Sequence, residues 1–497
     1  MTEPCDLSAT EARALIGSGA LSPVELMESC IARIEAVDGA VNAMVARDFD
    51  GARAAAREAE AAVRRGATLG PLHGLPTGIK DMNDVAGLPT TYGSLIYKDN
   101  VPAADDALVA GLRGAGAIPV GKTNNPEWSA GANTHNAVYG ATGNPFDTSK
   151  TAAGSSGGSG AALACGMVAL ASGSDMGGSL RNPAAYCGVV GFRASAGLVP
   201  TANRAMGWLP LSISGPMGRT VDDVALMLQV MATPDARDPA NPTVPGAPAA
   251  PGAAFAKLRP LDLSALRVAL SPDLGFAPTE ALVARAFGEK TGLFRGGFAR
   301  ADDDAPDCSG TDRAFGVLRA VSFLGHHRRH REATPHLVGP NVAANVVEGL
   351  SYSALDVADA LETQSTIYRR WQAFFAEYDV LLAPAVTVSP RPWRELYPVE
   401  IDGKPTQTYF HWLALAYAAT LVGHPALSLP VGLDDNGMPF GLQIIGPRGG
   451  DELVLRVARA LEAHLAGDVR TARPVPDIAT LAAAPPLSAS EGFFTAV

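Results

Sequence analysis

Four short apolar runs set apart by glycine clusters, all between Gly70 and Gly218, most narrowly limit what this chain can fold into. LPTGIKD, AGAIPVGKTN, GMVALASGSD and GVVGFRAS show no alternation of polar and apolar residues, so each reads as a strand buried on both faces. Strands of that kind predict a mostly parallel sheet, with helices such as Ala104 to Gly114 and Gly158 to Val168 between them. Further strand-like runs occur later, at LRVAL (Leu266 to Leu270), YDVLLAPAVTV and PALSLPVGLDDNGMPFGLQIIG. The last is two strands joined at Asn436-Gly437, a hairpin signal. If these late strands rejoin the first sheet, the chain is one α/β unit with an insertion in its middle.

The organisation around that sheet follows from local signals. Ser8 with Glu11, and Ser22-Pro23-Val24-Glu25, are capping boxes that open two helices. The second carries Val24, Met27, Ile31, Ile34 and Val37 at helical spacing, a stripe open to core packing or to a subunit contact. A third helix fills Asp50 to Arg65, and Thr220 caps another that ends near Met231. From Pro239 to Pro251 a proline falls every third residue, which predicts an extended surface connector. The expected segments are N-terminal helices (1–68), a strand-rich stretch (69–235), a linker and helical insertion (236–378), C-terminal strands with a helix from Asp451 to Leu465 (379–472), and an Ala/Pro-rich tail lying loosely on the surface (473–497).

Composition excludes several function classes. The 497 residues carry a net charge of −11 with no basic stripe, a poor surface for nucleic acid. Five scattered cysteines without a C-x-x-C pair imply neither a disulfide framework nor a zinc site and fit a reducing cytoplasm. The opening MTEPCDLSATEARAL has acids where a secretory leader carries bases. From His411 to Leu433 there is no charged residue other than histidine, but Gly423, Pro425 and Pro430 break the run. A helix (about Tyr409 to Leu421) and a buried strand (Ala426 to Leu429) are expected there, with no membrane span. Glycine and proline, 53 and 38 residues, are about half as frequent again as the usual ~12%, so backbone turns carry unusual weight.

Three motifs read as decoys. GAIPVGKT (Gly116 to Thr123) fits a phosphate-binding loop, but its middle is strand-like and Asn124-Asn125-Pro126 follows where a helix should begin. Gly154-Ser155-Ser156-Gly157-Gly158 fits a nucleophile elbow centred on Ser156, yet a polar loop precedes it instead of an apolar strand. In GHHRRH only His326 and His330 share a helix face, and Arg328, Arg329 and Arg331 would repel a cation, so a solvated helix surface is expected and no metal.

What remains is a combination: Lys80 at the end of a strand, Ser155 in a Gly-Ser loop 75 positions on, and Ser179 in a second Gly-Gly-Ser. Alone, each is weak; Gly-Gly-Ser is commonly a tight turn, and Arg181 beside it a surface ion pair. Together, the run GSSGGSGAALACGMVALASGSDMGGSLRNPAAYCGVVGF (Gly154 to Phe192), with GLPTGIKD, GHPALSLPVG, GMPFGLQIIGP and DELVLRVARALE, resembles the amidase signature family of serine hydrolases over nearly the whole chain. The likeness is weakest between about Pro239 and Asp379. It implies a central mixed β-sheet covered by helices on both faces, and it assigns Ser179 as nucleophile, Ser155 as the serine beside a cis peptide bond, and Lys80 as base.

That chemistry is self-consistent. Cleaving an amide needs an activated oxygen, a base that later protonates the leaving amine, and donors for the tetrahedral oxyanion. Ser155 can accept from one partner and donate to the other, relaying the proton. Lys80 serves only when neutral, which requires burial or nearby positive charge worth about 3–5 kcal/mol. Met176, Gly177 and Gly178 precede the nucleophile and are the expected oxyanion hole, each such donor being worth about 10²–10³ in rate. In WSAGANTHN (Trp128 to Asn136), Ser129 and Gly131 are expected to border the acyl pocket. The resemblance thus implies a cofactor-free hydrolase of a small amide, with carbamates and aryl amides within reach, and with a homodimer as an open expectation. Two alternatives stand beside it: an amidotransferase A-type subunit feeding ammonia to a partner, disfavoured because Asn182 follows Arg181 where such proteins carry glutamine, and a catalytically silent scaffold.

Overall fold

The computed structural model describes residues 3–202, 204–241 and 251–496. Its framework is an 11-stranded sheet. In chain order the strands are β1 (Met44–Arg47), β2 (Pro76–Lys80), β3 (Ile118–Thr123), β4 (Leu170–Asp175), β5 (Val190–Arg193), β6 (Ile213–Gly218), β7 (Arg267–Leu270), β8 (Arg300–Asp303), β9 (Val380–Pro384), β10 (Ala426–Leu433) and β11 (Pro439–Ile445). Across the sheet they lie β1-β3-β2-β4-β6-β5-β10-β11-β9-β7-β8. Strands from both sides of the proline-rich seam therefore share one sheet.

The direction of the strands departs from the expected mostly parallel arrangement. Only β3/β2, β2/β4, β9/β7 and β7/β8 run parallel. The centre, from β4 through β6, β5, β10 and β11 to β9, is antiparallel. An unbroken apolar run reports burial on both faces and says nothing of direction. Both faces are indeed covered at the antiparallel hairpin. Ala185 of the helix Arg181–Cys187 lies against Gly441, and Val454 of the helix Asp451–Leu465 lies against Gly446.

Local signals place most helix starts correctly. Ser8/Glu11, Ser22/Glu25 and Thr220/Asp223 all form reciprocal capping boxes, opening helices Ala9–Ser18, Pro23–Val41 and Val221–Met231. The uncharged run after His411 becomes a helix, Ala414–Val422, that Gly423 ends in the left-handed conformation before β10. Among the described residues no helix is long and apolar enough to cross a membrane.

Three expectations need correction or bounding. The hairpin is longer than two residues: Asp434 N–H donates to Met438 O (2.7 Å), and the Asp434 carboxylate accepts the N–H groups of Asn436 and Met438 (2.9 and 3.0 Å). The tail is not loose. It forms a helix, Ile478–Ala483, whose Leu481 is buried, and Leu487 is buried beyond it. The middle of the proline-spaced connector, Pro242, Pro245 and Pro248, lies outside the described residues.

Candidate active site

The site forms where β2 and β4 end side by side. Lys80 closes β2 and is fully buried. Its Nζ is 2.7 Å from Ser155 Oγ and 2.9 Å from Ser174 Oγ, and its backbone N–H donates to Ser172 Oγ (3.0 Å). All three partners are hydroxyls. Burial pushes Lys80 down to about 7, against an upward pull from Asp175. Near neutral pH a large fraction of this amine is therefore uncharged and able to accept a proton.

Ser155 is delivered by the turn that opens the helix Gly157–Ala164. The Gly154–Ser155 peptide bond is cis, on the N-terminal side of the serine. Glycine follows for a packing reason: a Cβ on Gly158 would stand 2.2 Å from the backbone nitrogen of Asn124. Ser156, the centre of the elbow-like motif, is structural. Its Oγ accepts from Ser174 N–H (3.3 Å), and its N–H donates to Ser179 O (3.2 Å), stitching the Ser155 turn to the Ser179 loop.

Ser179 lies half-buried in the loop after β4, and that loop is built around Asp175. The Asp175 carboxylate receives Arg181 through Nε (3.0 Å) and Nη2 (2.8 Å), together with the N–H groups of Gly178 (3.0 Å) and Leu180 (3.2 Å). Arg193 reaches the same residue at its backbone carbonyl and, at 3.4 Å, its carboxylate. Burial alone would raise the acid; the two guanidinium groups overcome this and hold it far below the usual carboxylate range. Arg181 is thus fully buried, not a surface ion pair, and it also donates to Ala416 O (2.9 Å) and Gln443 Oε1 (2.7 Å).

This hub changes the expected set of oxyanion donors. Gly178 N–H is committed to Asp175, so Gly178 is not a free donor; its glycine requirement comes from φ +101° and from a Cβ position 2.4 Å from Asn182 Oδ1. Among the described residues, the N–H groups of Met176, Gly177 and Ser179 have no acceptor, and the Ser179 hydroxyl has no hydrogen-bond partner.

WSAGANTHN runs past the cis turn, with Ala132 to Thr134 beside it. A Cβ on Gly154 would meet Ala132 and Asn133 backbone atoms at 3.0–3.1 Å, and Thr134 N–H donates to Ala153 O (3.0 Å). Ser129, at φ 59°, keeps a buried hydroxyl with no partner, and Gly131 adopts φ +138° beside Asn341.

A cavity of about 450 Å³ opens next to this loop, lined by Met176, Trp128, Phe323 and His327 among others. Here the structure corrects the solvated reading of GHHRRH. His327 and His330 pack on the Trp128 ring, with centroids 4.6 and 5.0 Å away, and burial drives His327 down to about 3. Trp128 lies about 200 residues away in sequence, so no local pattern announced the stack. Lys122 of the rejected phosphate loop is fully buried and faces Asp81 at 3.6 Å. Among the described residues, the His/Cys/Asp/Glu group close enough to hold a cation is Glu3, Cys5 and Asp6, and Arg33 already pairs with both acids (3.1 and 3.0 Å).

Comparison with known proteins shows the family. The amidase family model matches residues 25–455. The chain is 34% identical to an acylamidase of Rhodococcus erythropolis over 465 residues, spanning 92% of this chain and 95% of that protein. It is 33% identical to the A-type subunit of the glutamyl-tRNA(Gln) amidotransferase of Rhodopirellula baltica, over 94% of this chain and 98% of that one. Among solved structures, a bacterial aryl acylamidase of the amidase signature enzymes superposes with a TM-score of 0.84 at 28% identity, covering 92% and 96% of the two chains.

Proposed function

Because the chain belongs to the amidase family, we propose that it hydrolyses a small amide through an acyl-enzyme on Ser179, with Ser155 and Lys80 as the proton relay. Lys80, uncharged, draws the Ser155 proton, and Ser155 takes the proton of Ser179 as its oxygen attacks the carbonyl. The oxyanion is met by the N–H groups of Met176 and Gly177, with Ser179's own N–H in the place expected of Gly178. The relay then returns the proton to the leaving amine, and water attacking along the same path frees the acid.

The observation that carries this reading is the 2.7 Å contact between Ser155 and a buried lysine whose side-chain hydrogen bonds go to hydroxyls. Asp175 contributes by position: it holds the nucleophile loop, and its upward pull on Lys80 is outweighed by burial. Ser129 and Gly131 are proposed to border the acyl pocket behind Ala132 to Thr134. Carbamates and anilides are reachable by the same attack, and the enzyme is proposed to act in the cytoplasm as a homodimer.

Intact-mass labelling with a fluorophosphonate tests the nucleophile. One adduct on the native chain and none on Ser179→Ala is the expected result; undiminished labelling of the variant overturns it. A panel of aliphatic amides, anilides and carbamates then ranks substrates. The likeness to an amidotransferase component favours a second reading, in which ammonia passes to a partner protein. Asn182 after Arg181 weighs against it, and stoichiometric co-purification of a partner from cells would favour it.

A further inference from the structure

The wall of the cavity beside Met176 includes an enclosed cation whose donors make no hydrogen bond. Arg204 lines it with a side chain only 5% exposed, yet among the described residues none of its three guanidinium nitrogens has a hydrogen-bond partner. Its charge partner, Asp238, stands 3.6 Å away, beyond hydrogen-bond reach. The Asp238 oxygens are turned instead to the N–H groups of Thr201 (2.7 Å) and Ala240 (2.9 Å). Thr201 also lines the cavity, and its hydroxyl is enclosed without a partner.

Buried polar groups are almost always hydrogen-bonded, and an arginine with every donor unmet is a strong exception. The carboxylates in the same wall do not share this property. Asp84 accepts from the Tyr92 hydroxyl (2.6 Å), and Asp106 accepts from Val109 N–H (2.9 Å) and Asn83 Nδ2 (2.8 Å). Unmet hydrogen-bonding capacity in this cavity thus includes a planar, permanently charged fork and a hydroxyl, three residues apart in sequence. That donor set matches a carboxylate.

We propose that Arg204 and Thr201 form an anion subsite that binds a carboxylate carried by the amide substrate, so that the enzyme prefers anionic amides to their neutral isosteres. This rests on the hydrolytic reading above and names its substrate class. Trp128 and Phe323 supply the apolar wall for the part of the substrate between the carboxylate and the scissile bond.

The test pairs neutral and anionic substrates: butyranilide with succinanilate, which carries the carboxylate on the acyl side, and acetanilide with 4-acetamidobenzoate, which carries it on the leaving amine. For one pair the native enzyme should show kcat/KM about 10- to 100-fold higher for the anion, the range of one or two charge-assisted hydrogen bonds. Arg204→Gln should bring that ratio to about 1, acting through KM, and Arg204→Lys should restore part of it. A purely structural role would lower both members equally and leave the ratio intact, which overturns the proposal, as does a native ratio of 1 in both pairs. If no compound is hydrolysed, the hydrolytic reading fails by itself, and the subsite is decided by calorimetry with benzoate. Binding to the native chain that Arg204→Gln weakens tenfold supports it; no binding, or equal binding to both, overturns it.

Discussion

Lys80 ends β2 and Lys122 is the penultimate residue of the neighbouring parallel β3, with Ile79 opposite Lys122 and Lys80 opposite Thr123, and both side chains are fully buried. Their surroundings nevertheless make them different groups. Around Lys122 stand Asp81 at 3.6 Å, the Asn83 carbonyl, and the Thr90 hydroxyl at 2.9 Å, with Asp84 and Asp106 adding to the upward pull against burial. Lys80 meets only hydroxyls, and the one acid near it, Asp175, is already held by two arginines. Burial lowers both lysines, but Asp81, Asp84 and Asp106 oppose it at Lys122, whereas only Asp175 does so at Lys80, which is proposed as the base. The lesson is that counter-charge, and not burial, separates the two roles.

The comparison can be broken most sharply by removing each amine in turn. Lys80→Met should lower kcat by about 10³-fold while leaving the protein folded, a general-base loss; a steady-state assay showing less than a tenfold drop would remove Lys80 from the mechanism. Lys122→Met should instead leave Asp81 buried without its cation and lower unfolding stability by about 3–5 kcal/mol, read from urea denaturation. The kcat of the folded fraction should change less than tenfold. Adding Asp81→Asn to that variant should recover part of the stability.

A smaller effect comes from making one lysine resemble the other. Ser174→Asp places a carboxylate beside Lys80 and should raise its pKa, moving the acid limb of the kcat/KM profile about 1–3 units upward. In the native enzyme that limb should rise with pH through about 7, as Lys80 loses its proton. An unmoved limb in the variant would mean that another group sets it.

The last predicted signal is in stability. Unfolded Lys80 keeps its proton up to its ordinary value of 10.5, whereas in the fold it does so only up to about 7. Between these values the unfolded chain binds more protons, so the contribution of Lys80 to stability increases as pH rises. The difference in urea midpoint between the native chain and Lys80→Met should shift in the native chain's favour from pH 7 to pH 10.

Much of this was legible in one dimension because it is local. Capping boxes specify helix starts within four residues, apolar runs specify buried strands, and Lys80, Ser155 and Ser179 sit in motifs whose glycines cluster around them. The misreadings share a cause: each depended on a partner far along the chain. Arg181 looks superficial until Gln443 and Ala416 are brought to it, and the histidines of GHHRRH look solvated until Trp128 lies across them. Gly178 looks like a free donor until Asp175 turns back to accept its N–H, and the tail looks loose until Leu481 finds a core.

Covalent order and side-chain chemistry alone thus determined the buried strands, most helix boundaries and the three residues proposed for the relay. Folding in space decided strand direction, which N–H groups remain free, which of two buried lysines meets a carboxylate, and which arginine is left with its donors unmet. The reason is physical: charge state and hydrogen-bond satisfaction depend on every group within a few ångströms, and most of those groups arrive from distant parts of the chain.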